Sequence, residues 1–152
     1  MNPEHFIEHP EGGRYQEVFR SSARVVNDTG KQRSALTHIY FALDGDERSR
    51  FHRVASDEVW NLYRGVGLYL YVWDGSASRP DRIELSVDTN QFCHVVPAGT
   101  WQAAEPKQGG VLVGCSVGPG FEFDDFTLMT PNSVEAVRLQ NLDPTLGRLV
   151  IP

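Results

Sequence analysis

A histidine and a glutamate six residues apart, His52 and Glu58 in "FHRVASDEVWNLYRG" (51–65), are the residues of this chain best suited to acid–base chemistry. In an extended chain, residues two apart share a face. His52 and Val54 then point one way, and Glu58, Trp60 and Leu62 make a matching row on the next strand. If both rows turn inwards, an imidazole and a carboxyl meet in an apolar, aromatic interior. A carboxylate buried there must be paired, hydrogen-bonded or shifted in pKa. An imidazole beside it is oriented and held basic, which prepares a general base. His52 is therefore expected to be the base and Glu58 its orienting partner.

Other side chains are candidates for the same interior. His38 and Tyr40 in "ALTHIYFAL" (35–43) are expected to face opposite ways, so that one of them lines the pocket. Tyr40 is the choice, because a phenol can donate a proton opposite a histidine base. Trp60 and Trp101 are either core filling or platforms for a ligand. Gln102 follows Trp101 in "PAGTWQ" (97–102) and offers an amide oxygen. Glu17 and Arg20 are either surface charges or ligand contacts. Arg20 or Arg53 could reach an anionic ligand group, a task suited to a planar guanidinium.

The elements that must hold these residues are strands. "RYQEVFRSS" (14–22), "SRFHRV" (49–54), "DEVWNLY" (57–63), "DRIELSV" (81–87), "FCHVVPAG" (92–99), "WQAAEP" (101–106), "GVLVGCSVG" (110–118) and "FEFDDFTLM" (121–129) are short and broken by turn residues. In "VGLYLYVWDG" (66–75) both faces are apolar, which suits a strand buried on two sides. Its Tyr69, Tyr71 and Trp73 face is either a dimer surface or a second core layer. Helical spacing appears only in "SVEAVRLQNL" (133–142), with Ser133 as its cap. This pattern predicts an all-β, antiparallel jelly-roll barrel with a short C-terminal helix. The chain reads as one domain over 1–152, with a barrel core over about 13–129 and a tail over 130–152.

The totals set outer bounds. A net charge of -6 argues against a nucleic-acid or anionic-membrane surface. No run approaches the roughly 18 apolar residues of a membrane span. The start "MNPEHFIEHPEGG" lacks the basic and apolar regions of a secretion signal. Cys93 and Cys115 imply no disulfide framework, so a cytoplasmic protein with reduced thiols is expected.

From His52 to Gly65 the pattern H-x-V-x3-E-x6-G resembles the first motif of the cupin superfamily, G-x5-H-x-H-x(3,4)-E-x6-G. "PAGTWQ" resembles the second, P-x-G-x-x-H, with Pro97 and Gly99 in place. Four blocks, "HPEGGRYQEVFRS" (9–21), "FHRVASDEVWNLYRG", "VVPAGTWQAA" (95–104) and "LVGCSVGPGFEFDDF" (112–126), are similar in order to the small-cupin branch known as a domain of unknown function. The resemblance implies a jelly-roll barrel, often a homodimer, similar in shape to the rhamnose-pathway sugar-nucleotide epimerases. A metal-binding cupin uses three imidazoles and one carboxylate. Here Val54 and Gln102 stand at two of the histidine positions, leaving His52, Glu58 and Gln102 as the only candidate ligands, and Gln102 a poor one. No cofactor is expected, and a divalent metal is disfavoured.

The leading expectation is a cupin that binds a small polar metabolite, such as a sugar or sugar nucleotide, in its barrel. Any turnover would be metal-free proton transfer of isomerase or epimerase type. Two alternatives stand beside it. One is a metal-dependent enzyme using His52 and Glu58. The other is a non-catalytic binding or sensing module.

Overall fold

Alternating side chains become two antiparallel sheets that face each other. The computed structural model describes residues 5–152. Its strands are β1 (Ile7–Glu8), β2 (Arg14–Arg20), β3 (Arg24–Val26), β4 (Gln32–Ser34), β5 (Thr37–Leu43), β6 (Ser49–Val54), β7 (Asp57–Arg64), β8 (Gly67–Trp73), β9 (Asp81–Ser86), β10 (Cys93–Val96), β11 (Trp101–Pro106), β12 (Val111–Gly118) and β13 (Phe126–Leu128), followed by one α-helix, α1 (Val134–Leu142). One sheet has the order β1-β2-β5-β12-β7-β10 and the other β13-β6-β11-β8-β9, while β3 and β4 form a separate hairpin. The strand order, with partners distant in sequence, is that of a jelly roll.

The space between the sheets is filled from both sides. Phe41, Trp60, Val113 and Cys115 of the six-stranded sheet pack with Leu68, Leu70, Leu85 and Ala104 of the other. The two apolar faces of β8 now separate. Leu68 and Leu70 point inwards, whereas Tyr71 and Trp73 point outwards and are buried with Trp101 beneath Ala136 and Leu139 of α1 and Leu149 of the following 3-10 turn. The aromatic face of β8 is therefore a second core layer and not a surface open to a partner. The C-terminal segment covers it.

Two local expectations change. Only Phe126–Leu128 of "FEFDDFTLM" is extended, because Phe123–Asp125 forms a 3-10 turn in which Asp125 takes both arms of Arg33 at 2.7 and 2.9 Å. The β3–β4 hairpin arises from "NDTGK", where the Asn27 side chain accepts from the Thr29 and Lys31 amides and Gly30 supplies a φ of 80°. The cap of α1 forms as the sequence suggests, with Ser133 Oγ accepting from the Ala136 amide at 3.1 Å. Ser133→Ala is expected to cost about 1 kcal/mol, read as a small drop in the urea midpoint at unchanged slope. Among the described residues, no helix is long and apolar enough to cross a membrane.

Candidate active site

β6 and β11 are neighbours, with His52 opposite Gln102, and β7 of the facing sheet carries Glu58 and Trp60. All four side chains are buried. The Trp60 indole donates to Gln102 Oε1 at 2.6 Å, and Gln102 Nε2 donates to Glu58 Oε1 at 2.9 Å. Because an indole N–H can only donate, it fixes the amide: oxygen towards Trp60, NH2 towards Glu58.

His52 is held from a different direction. Its Nδ1 lies 2.7 Å from the Arg50 carbonyl, which can only accept, so Nδ1 carries a proton and Nε2 faces Glu11 Oε2 at 3.0 Å. The Phe126 ring stacks over the imidazole at 5.5 Å and 28°. Ser49 Oγ donates to the other Glu11 oxygen at 2.9 Å. The orienting partner of His52 is thus Glu11, correcting the expectation of Glu58.

Glu11 reaches the interior because the "HPEGG" turn is pressed against the start of β6. Gly12 sits at a φ of 110°, and a Cβ there would lie 2.0 Å from the Arg48 carbonyl oxygen. The Arg50 amide donates to the Glu11 carbonyl at 2.7 Å, pinning the turn to the strand. Only glycine permits this approach. The same turn brings in His9, whose Nδ1 accepts weakly from the Glu11 amide at 3.3 Å and lies 3.5 Å from Glu11 Oε2. One carboxylate oxygen therefore sits between two imidazoles.

The environments drive these groups apart. Burial alone would raise Glu11, but the His52 and His9 rings and the hydrogen bonds from His52 and Ser49 hold it below the usual carboxylate range. Burial would lower His52, yet the charge and hydrogen bond of Glu11, aided by Glu58 and the Arg50 carbonyl, keep it raised. Glu58 goes the other way. Burial pushes it up to about 7; the His52 charge and the Gln102 hydrogen bond oppose that rise, while Glu11 adds to it. His9 is lowered by burial. These directions favour charge on both members of the Glu11–His52 pair and a neutral His9, and leave Glu58 titrating near neutrality.

A narrow cavity of about 30 Å³ reaches His9 and Cys115. It adjoins an outer one of about 80 Å³ that shares Tyr15, Thr37, Ile39 and Phe121 and adds Glu17, Arg20, Glu122 and Phe123. His9 Nε2 has no hydrogen-bond partner among the described residues, and no fully buried side-chain nitrogen or oxygen lacks one. His9 lines this cavity. A larger cleft of about 450 Å³ lies elsewhere, beside Gly12, Gly13, Arg48, Arg50 and Arg148. Arg48 and Arg148 already pair there with Glu105.

Residues 4–129 match the model of the family described as Cupin superfamily (DUF985). This chain belongs to that cupin family. A hypothetical protein from Leishmania major is 30% identical with a TM-score of 0.78, covering 95% of this cupin and 90% of that chain. A Shewanella oneidensis protein is also 30% identical, with a TM-score of 0.77 and coverage of 95% and 88%. A cupin 2 conserved barrel domain protein from Rhodopseudomonas palustris shares the fold at 14% identity and a TM-score of 0.64, covering 95% and 87%. Among curated proteins no sequence matches.

The donor set of this cupin does not fit the metal that its superfamily commonly holds. His52 uses both ring nitrogens on Arg50 and Glu11, the Gln102 oxygen is taken by Trp60, and the amide turns its N–H groups inwards. Val54 has no donor to offer. Among the described residues, no three His, Cys, Asp or Glu side chains are grouped to hold an ion.

Of the candidates read from sequence, His52, Glu58, Trp60 and Gln102 come together inside, and Glu17 and Arg20 stand at the mouth. Four others do not join them. Tyr40 and His38 are two residues apart and so share a face, the outer one; His38 bonds Ser116 and Tyr63 there, and Tyr40 packs edge-on to Tyr63 at 5.9 Å. Trp101 and Arg53, each adjacent in sequence to an inward residue, point outwards, with the Arg53 guanidinium 4.6 Å over the Trp101 ring. Arg20 is not free for an anion, because it pairs with Glu17 at 2.8 Å and Glu122 at 3.0 Å and donates to the Phe121 carbonyl at 3.0 Å. Sequence reasoning missed Glu11 and His9. Their signal was two ionisable residues inside "HPEGG", which reads first as a turn.

Proposed function

We propose that this cupin binds a small polar metabolite at the barrel mouth and exchanges a proton with it without a metal, as isomerases and epimerases do. The observation that supports this reading is the shared Glu11 oxygen, with His52 on its inner side and the cavity-lining His9 on its outer side. His9 accepts the Glu11 amide at Nδ1, so its neutral form carries the proton on Nε2, facing the cavity. Donation of that proton to a ligand is balanced by a proton arriving at Nδ1 from the His52 imidazolium through Glu11. Return of the proton reverses each step. His9 is then the acid–base group that meets the ligand, and Glu11 positions it. Glu58, held by Gln102, keeps a second proton available near neutral pH.

The cavity sets the size. Ligand sites usually occupy about 300–1,000 Å³. The outer cavity here is about 80 Å³, so no more than part of a sugar-sized molecule enters and a whole sugar nucleotide does not.

Native mass spectrometry of the purified cupin should show a bound small molecule. Incubation of that molecule with the protein in D2O should place deuterium at one of its carbons. His9→Gln should slow that incorporation about a hundredfold or more while leaving the molecule bound. Binding without exchange in the unaltered protein would instead identify a non-catalytic binding module.

A further inference from the structure

The mouth carries information on ligand charge that the buried relay does not. Glu17, Arg20 and Glu122 border the outer cavity, giving two carboxylates to one guanidinium. That guanidinium is engaged by both carboxylates and by the Phe121 carbonyl. Among the described residues that line it, the rim therefore presents an excess negative charge and no free cation. Its walls are aromatic: Tyr15 and Phe121 line both cavities, and the half-exposed Phe123 ring stands edge-on to Phe121 at 5.0 Å. Deeper in, Ile39 and Val117 make the throat apolar down to His9.

We infer that the mouth selects a small, flat organic cation, with its charged end among Glu17, Glu122 and the Phe123 ring and its apolar end in the throat. Carboxylates stabilise such a charge directly, and an aromatic face attracts it through the ring quadrupole. An anion meets the opposite field, so phosphorylated sugars and free carboxylates are turned away. A neutral molecule of the same shape ranks between the two. This rests on the reading of the mouth as a ligand site, and extends it by naming the ligand's charge.

Three molecules of one shape test it: benzamidinium, benzamide and benzoate. Their binding is measured at neutral pH by NMR, following the resonances of Tyr15, Thr37 and Phe121. Benzamidinium is expected to bind tightest and benzoate weakest, with about tenfold between them. Glu17→Gln combined with Glu122→Gln moves the rim from one excess negative to one excess positive charge and frees Arg20, so the order should invert. Arg20→Gln should instead widen the preference for benzamidinium. These side chains are more than a third exposed, so the fold tolerates the changes; circular dichroism checks it. Equal binding of all three at the mouth, tightest binding by benzoate, or an unchanged order in the double variant would overturn the charge selection while leaving the ligand site standing. If none of the three moves the mouth resonances, the ligand site fails with it.

Discussion

Glu11→Ala is expected to destabilise this cupin by about 3–5 kcal/mol, whereas Glu58→Gln in the same interior should cost no more than about 1 kcal/mol. Both carboxyls are buried, so burial does not distinguish them. Their partners do. Glu11, held low, faces the raised His52 imidazole at 3.0 Å and accepts from Ser49 at 2.9 Å, an arrangement that favours an ion pair. Removing it leaves a buried cation and a hydroxyl without their acceptor. His52 can relieve the first by losing its proton, which limits the loss. Glu58 near neutral pH is half-protonated already, and the Gln amide oxygen can accept the same bond from Gln102. Urea unfolding of the two variants at pH 7 reads the contrast directly. Equal losses would show that the Glu11–His52 pair is not ionised. Glu11→Gln should fall between them, keeping the acceptor but not the charge.

What the sequence made legible follows from period and distance. Strand faces are a local property, so His52, Glu58, Trp60 and Gln102 could be placed inside from alternation alone. The same rule puts Tyr40 beside His38 and excludes Trp101, the neighbour of Gln102. Those placements need only the parity of the strand. Glu11 was different in kind. It enters through a turn whose path depends on Gly12 lying against the Arg48 carbonyl, a contact across 36 residues of chain that no local pattern encodes. The Trp73 face of β8 was ambiguous for a similar reason, since only the docking of α1 decides whether an apolar face is a core layer or a surface. The motif itself also misled. It presents the first-motif histidine and glutamate as a pair, although in this chain each has taken a different partner.

The stability of this cupin is expected to fall as pH rises from about 4.5 to about 7, by roughly 3 kcal/mol at 1.36 kcal/mol per pKa unit. Glu58 carries the effect. Its folded pKa is raised, so between those limits the unfolded chain has released a proton that the native barrel retains, and the slope of unfolding free energy with pH is negative. The raised His52 adds in the same direction: its contribution is complete below its unfolded value and is lost as pH climbs through the folded one. Glu11 acts with the opposite sign, because its lowered pKa gives stability above the unfolded value that disappears only as pH drops through the folded one. Glu58 and His52 thus favour the acid side of neutrality and Glu11 limits it from below, while His9, lowered by burial, loses its contribution as pH falls below its unfolded value and so blunts the decline. Urea midpoints from pH 4 to 8 should trace that curve. Glu58→Gln should remove most of the decline on its alkaline side and leave the acid side in place. A profile in that variant as steep as the parent's would assign the titration to another group and break the division of labour between the two buried glutamates.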